Sequence, residues 1–435
     1  MTSVVILGTL DTKGAEIAFL ADRIRERGGS VRVIDGGVMQ SSATAWTFPS
    51  DVLVSDSDAV AKLGGSSRAA LAAAGDRSAA MAVMRAGAVK EVDFLFGHHL
   101  LDAVIAIGGS GGASFAAAAM QSLPVGIPKL IVSTMAAGDT RPYVGESDIA
   151  MLYPVVDIAG LNRLSRQVLT NAAAAIAAMA EVAAATRPHG ELQAALRRVS
   201  EDKPLIGATM FGVTTPCVTA ARETLEELGY EVLVFHATGT GGRALEGLVR
   251  SGYFAGVLDV TTTELADELV GGVLSAGPDR LTAAGRLGIP QVVSLGALDM
   301  VNFGPRDTVP AQFRDRNLYE HNASVTLMRT SVEECRELGR ILARKLNAAT
   351  GPTALFIPRG GISMIDVPGG PFHDATADSA LIDALLADLD PRIEVVDRPV
   401  AINDESFGPA MARRLHELLQ ANPDPRMAAL RAQSQ

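Results

Sequence analysis

One segment of this chain occurs twice. VVILGTLDTKGAEIAFLADRIRERGGSVRVIDGG begins at Val4, and LIGATMFGVTTPCVTAARETLEELGYEVLVFHATG begins at Leu205. In both, an apolar run ends in a Thr-containing polar loop and an amphipathic helical pattern follows. A glycine closes that helix (Gly29, Gly229), and a second apolar run ends in a polar residue, Asp35 or His236. Gly8-Thr9 falls on Ala208-Thr209 at the same offset that places Gly29 on Gly229. A strand–loop–helix–strand unit builds parallel sheet, because the helix returns the chain to the same end of the sheet. The duplication therefore predicts an α/β protein of two tandem Rossmann-like, doubly wound parallel-sheet domains. Their expected extents are residues 1–203 and 204–435, with a ligand cleft between them.

At 435 residues the chain exceeds one ordinary core, which agrees with two domains. Hydrophobic residues make up 48% but aromatics only 4%, a composition suited to small-residue helices packed on a sheet. The net charge of -11 is spread without long runs, so neither nucleic acid nor a membrane surface is an expected partner. Two cysteines, Cys217 and Cys335, are too few for a disulfide framework, and a cytoplasmic location is expected. Met1 leads directly into a strand pattern, so no signal peptide is expected. The most apolar stretch, residues 171–186, is Ala-rich, interrupted by Asn171 and Glu181, and reads as a packed helix.

Further apolar runs predict strands at Ala103–Ile107 and from Leu130 in the first half. In the second half they fall at Leu205–Met210, Glu231–Phe235, Gly256–Val260 and Gln291–Leu295. Val325–Met328 and Ala354–Ile357 are expected to extend the second sheet, and Ile393–Val396 to join it. The stretch from Gly36 to Leu53, with Trp46, reads as a long loop, and residues 188–204 as a helical linker.

In open α/β sheets the loops after the strands collect the ligand. The strongest here is Gly108-Gly109-Ser110-Gly111-Gly112, after the Ala103–Ile107 strand. Glycines let backbone amides approach a phosphate, and the following helix presents its positive N-terminal end. The alternative is a Gly-rich turn that only permits close helix–strand packing. Gly8-Thr9-Leu10-Asp11-Thr12-Lys13 adds a cation for phosphate (Lys13) and a carboxylate for a metal-bound water or hydroxyl (Asp11). Lys13 also reads as a solvated residue of the first helical turn. Asp35 ends the second strand where an acid meets a ribose hydroxyl, although the dinucleotide glycine fingerprint and the Walker A spacing are both absent. Ser133, Thr134 and Asp139 follow the fourth strand.

The second half offers a counterpart glycine loop, His236-Ala237-Thr238-Gly239-Thr240-Gly241-Gly242, and an acidic segment, Asp259 to Glu264. His236 and His321, with Asp11, are the candidate acid–base groups. Asp299, Asn302, Arg329 and Arg359 add polar groups, and Asp366, His373 and Asp374 lie in a Pro/Gly-rich loop. His98-His99 with Asp102 is a weak metal pattern, since adjacent histidines point to different sides.

GTLDTKG, VIDGGV, AIGGSGG, STMAAGD, HATGTGG, GALDMVNFG and HNASVTLMRT occur in order along nearly the whole chain. Together they resemble the ATP-binding family of the tomato protein that inhibits tomato mosaic virus replication, with its bacterial and fungal relatives. The resemblance implies two Rossmann-like subdomains, ATP held by the N-terminal one, and a homodimer. It assigns the nucleotide side to the loops at Gly8–Lys13, Gly108–Gly112 and Ser133–Asp139. A counterpart of the plant protein's further TIM-barrel-like region is not expected, nor is the antiviral role expected to transfer.

The expected function is ATP binding, extending to an ATP-dependent reaction on a small metabolite, with Mg2+ near Asp11 or Asp139. A non-catalytic ATP sensor is the second expectation. A sugar-nucleotide epimerase or glycosyl transferase is the third, on analogy of fold alone.

Overall fold

A computed structural model describes residues 2–38, 48–185 and 203–422. Trp46 and the linker around Pro188, His189 and Gly190 lie outside the described residues. The chain divides into two compact units, Met1–Glu201 and Asp202–Gln435.

In the first unit, β1 (Ser3–Gly8), β2 (Ser30–Asp35), β3 (Leu53–Ser55), β4 (Ala103–Ile107), β5 (Lys129–Val132) and β6 (Ala150–Leu152) form one sheet. Its order is β3-β2-β1-β4-β5-β6, and every pairing is parallel. The residues of β1 explain its central place. Val4 and Ile6 enter one apolar cluster with the helices Leu10–Arg25 and Arg163–Ala185. Val5 and Leu7 enter another with the helices Arg77–Gly97 and Ser110–Ser122. A strand covered on both faces needs an uninterrupted apolar run, and VVIL supplies it. The Ala-rich helix Arg163–Ala185 is long and apolar enough to cross a membrane by length and composition. Here Leu169, Ala172, Ala173, Ile176 and Ala180 lie against the sheet.

The second unit contains β7 (Leu205–Met210), β8 (Glu231–His236), β9 (Gly256–Thr261), β10 (Gln291–Gly296), β14 (Thr353–Pro358) and β15 (Glu394–Arg398). They form a second six-stranded parallel sheet in the order β15-β14-β10-β9-β7-β8. Counted within the unit this is 2-1-3-4-5-6, a doubly wound order like that of flavodoxin, whereas the first unit has the 3-2-1-4-5-6 order. The expected α/β class, with two doubly wound parallel sheets, is what the chain forms.

One strand assignment is corrected. Val325–Met328 does not extend the large sheet. As β13 (Val325–Arg329) it pairs antiparallel with β11 (Met300–Phe303) and β12 (Leu318–Asn322) in a separate three-stranded sheet. Only Ala323 and Ser324 separate β12 from β13, and the Asn322 side chain accepts from Ser324 N at 2.8 Å. So short a connection allows only antiparallel pairing, because a parallel partner needs a long crossover.

A charge cluster ties β9 to the segments that follow it. Arg280 is fully buried; its guanidinium donates to both carboxylate oxygens of Asp259 (2.5 and 2.6 Å), to Glu264 (2.6 Å) and to the Thr261 carbonyl (3.1 Å). Asp259 also accepts from Thr209 Oγ1 of β7 at 2.7 Å. Removing the cation strands the buried carboxylates of Asp259 and Glu264, and that of Glu246 3.7 Å away. Arg280→Met is expected to destabilise the second unit by about 3–5 kcal/mol, read as a lowered denaturant midpoint.

Candidate functional site

The order of the first sheet fixes where its open end lies. The chain leaves β1 toward β2 and leaves β4 toward β5, so β1 and β4, which are neighbours, send their loops apart. The crevice at such a switch point is where ligands bind in this architecture. Gly8–Lys13 and Gly108–Gly112 flank it.

Asp35 arranges the first of these loops. It is 4% exposed, and its Oδ1 accepts from Leu10 N and Gly37 N, both at 2.9 Å. Burial pushes its carboxyl up to about 6, against the lowering effect of those two amides. The carboxylate of Asp11 stands over Gly37, where a Cβ would fall 2.8–3.0 Å from it, so glycine is the residue that fits. The Thr9 and Thr12 hydroxyls bond each other at 2.6 Å. Lys13 is half-buried and leaves helical geometry (φ -130°, ψ 20°), a kink in the first turn of its helix.

Gly109 begins the helix Ser110–Ser122, and no side chain caps it. The first amides of a helix have no partner within it, and here they carry the positive end of a 13-residue dipole. Among the described residues, a Cβ on Gly109 would meet nothing within 4 Å, so none of them fills the space at that position. Two cations stand beside it that the sequence did not single out. Arg77 Nη2 lies 3.7 Å from where a Cβ on Gly111 would be, and Arg85 Nη1 donates to Ser114 Oγ at 3.4 Å. Neither the spacing nor the composition of their helix marks them; only tertiary folding brings them to the loop.

The residues that follow β5 have other partners. Ser133 is buried and its Oγ accepts from Met135 N, starting the short helical turn Thr134–Ala137. Asp139 is exposed and gripped by Arg141, whose Nε and Nη2 donate to it at 2.9 and 2.8 Å. That hydrogen bonding holds its carboxyl down at about 2.

The second unit's glycine loop looks alike in sequence and differs in structure. Glu264, fully buried, accepts from Gly239 N (2.7 Å) and Gly242 N (3.0 Å), and its other oxygen takes Arg280. A Cβ on Gly242 would fall 2.2 Å from the Glu264 carboxylate. The glycines here admit the protein's own anion. His236 ends the edge strand β8, exposed, with its ring 5.5 Å from that of Phe211; His321 is exposed on β12 of the small sheet. The two histidines thus belong to different sheets.

A second convergence of charge sits where β10 and β14 end. Asp299 is fully buried and accepts from Ser363 Oγ at 2.8 Å. Arg329, 5% exposed, donates to Asp378 (2.6 Å), the Phe372 carbonyl (2.7 Å) and Thr330 Oγ1 (2.9 Å). Asp366 is fully buried beside them, 3.5 Å from Arg329. Burial pushes Asp299 up to about 6; burial and the charge of Asp299 push Asp366 up to about 8. His98, by contrast, ends a helix by bonding the Phe94 carbonyl at 2.8 Å and stacking on the Phe94 ring, while Asp102 accepts from Ser3 N.

Asp35 makes the first site sensitive to pH. With its native pKa above the unfolded value, the folded state holds the proton more tightly. Its contribution is therefore fully present below about pH 4 and is lost as pH rises through about 6. Asp35→Asn keeps the accepting oxygen and removes the charge. Between about pH 4 and pH 7 the variant is expected to gain stability over the parent, by up to about 3 kcal/mol, in denaturant titrations at the two pH values.

Residues 2–185 match the model of the Uncharacterised protein family (UPF0261) N-terminal domain, and residues 203–419 that of its C-terminal domain. A UPF0261 protein from Clostridium tetani is 51% identical over 418 residues, covering 96% of this chain and 99% of that one. One from Mesorhizobium japonicum is 46% identical, over 95% and 98%. The ToMV resistance protein Tm-1 of Solanum lycopersicum is 40% identical over 95% of this chain, which spans 55% of the tomato protein. Among solved structures, a putative UDP-N-acetylglucosamine 2-epimerase from Listeria monocytogenes aligns with 12% identity over 67% of this chain and 78% of that one, at a TM-score of 0.22. Matched in both halves by its two domain models and nearly end to end by its bacterial members, the chain belongs to the UPF0261 family.

Proposed function

We propose that this protein binds ATP in its first unit, with the phosphates on the Gly108–Gly112 loop at the β1/β4 switch point. One observation carries the reading: among the described residues, no carboxylate takes the helix N-terminus of this loop or fills the space at Gly109, whereas Glu264 takes that of the other. A phosphate there receives first-turn amides and the helix dipole, and Arg77 and Lys13 supply cations. The choice of ATP over other phosphorylated ligands rests on the family resemblance of the motifs, not on the geometry.

Mg2+ suits hard oxygen donors, and Asp11 is the carboxylate we assign to it. Asp139 fits less well, because Arg141 already engages both of its oxygens. With the metal bound, its charge offsets that of the phosphates. Asp35 meanwhile holds the Leu10 and Gly37 amides so that the first loop keeps its shape.

Calorimetry of the whole chain with ATP and Mg2+ tests this. One site per chain is expected. Gly109→Asp, which adds an anion where there is room for it, abolishes binding, and Arg77→Ala weakens it about tenfold. Absence of ATP binding, unchanged affinity in Gly109→Asp, or preference for a uridine diphosphate sugar would each overturn the proposal.

A further inference from the structure

The cluster at the ends of β10 and β14 carries more negative charge than its one cation balances. Asp299, Asp366 and Asp378 surround Arg329, so three carboxylates face one guanidinium, an excess of two negative charges when all are ionised. Two carboxylate oxygens in it, Asp299 Oδ1 and Asp366 Oδ1, are buried and accept no hydrogen bond, although Asp366 Oδ1 faces Arg329 Nη2 at 3.5 Å as an ion pair. Leaving such atoms unsatisfied inside a fold is costly, and a bound cation is one way to satisfy them. Among the described residues, one group of His, Cys, Asp and Glu has donor atoms close enough for a metal. It is Asp366, His373 and Asp378, with donors within 4.8 Å of one another.

We infer that Asp366, His373 and Asp378 form a binding site for one divalent transition cation in the second unit. The donor set chooses the class of ion. One imidazole with two carboxylates suits Zn2+, Co2+ or Mn2+, whereas Mg2+ and Ca2+ favour oxygen-only sets.

The groups behind the ligands are already fixed. Asp366 Oδ2 is held by Ile362 N at 3.1 Å, which leaves Oδ1 as its donor. Asp378 is oriented by Arg329, which plays the part of an outer-shell hydrogen bond to a ligating carboxylate. His373 lies between two anchored neighbours. The carbonyl of Phe372 takes Arg329 Nε, and the Asp374 side chain caps the next helix by accepting from Thr376 N and Ala377 N. The imidazole itself is exposed, so an ion enters from its side and keeps a coordination position toward solvent. Asp299 stays behind Asp366 as the balancing charge.

The test is titration of the metal-free full chain with CoCl2, followed by visible absorption and by equilibrium dialysis. One Co2+ per chain is expected, with ligand-field bands that Zn2+ abolishes. His373→Ala and Asp366→Asn should each weaken Co2+ binding at least tenfold, while His98→Ala leaves it unchanged. His373 is exposed, so its variant decides the matter even if Asp366→Asn fails to fold. No saturable Co2+ binding by the parent chain, or the same affinity and bands in His373→Ala, would overturn the assignment.

Discussion

Arg280 is the group on which the second unit's architecture depends. Its guanidinium reaches Asp259 in β9 and Glu264 beyond it, and Asp259 in turn holds Thr209 of the neighbouring strand. Each carboxylate is buried, and each would be costly there without the cation. Because Arg280 neutralises Glu264, that carboxylate can stay inside the fold and take the amides of Gly239 and Gly242. One arginine therefore decides that the second glycine loop is a closed structural turn.

The same logic makes the first loop informative. Its helix starts at Gly109 without a capping side chain, and none of the described residues fills the space at that glycine. Asp35 is a buried acid nearby, but it serves Leu10 in the Gly8–Lys13 loop and Gly37 just after its own strand. Two halves with one pattern thus use glycine for different ends. In one it admits an internal carboxylate; in the other it leaves backbone donors facing outward, with Arg77 beside them.

The sequence made the parallel strands legible because both faces of each sheet are covered. VVIL and AVIAI are unbroken apolar runs for that reason, and QVVSLG is interrupted only by Gln291 and Ser294. Strands of three residues, Leu53–Ser55 and Ala150–Leu152, were invisible, being too short to show a period. Val325–Arg329 was legible as a strand but not as the middle of a small antiparallel sheet, which its two-residue connection to β12 dictates. The site divides in the same way. GGSGG and HATGTGG are alike in composition, and what separates them is Glu264, a residue made a loop ligand by tertiary folding. Arg77 reaches its loop from a helix remote in sequence. Asp299, Arg329, Asp366 and His373 were each noticeable as polar groups in loops, yet nothing local shows that they meet at the ends of two adjacent strands.

The claim that one glycine loop is open and the other closed can be tested through the exchange rates of the amides themselves. Hydrogen exchange of the whole chain, with and without ATP and Mg2+, reads both loops at once. The account predicts that amides at 110–112 exchange rapidly in the free protein and become protected when nucleotide is added. Those of Gly239 and Gly242 are slow from the start and do not change. Rapid exchange at Gly239 and Gly242 that slows with nucleotide, while 110–112 stay unchanged, would contradict it.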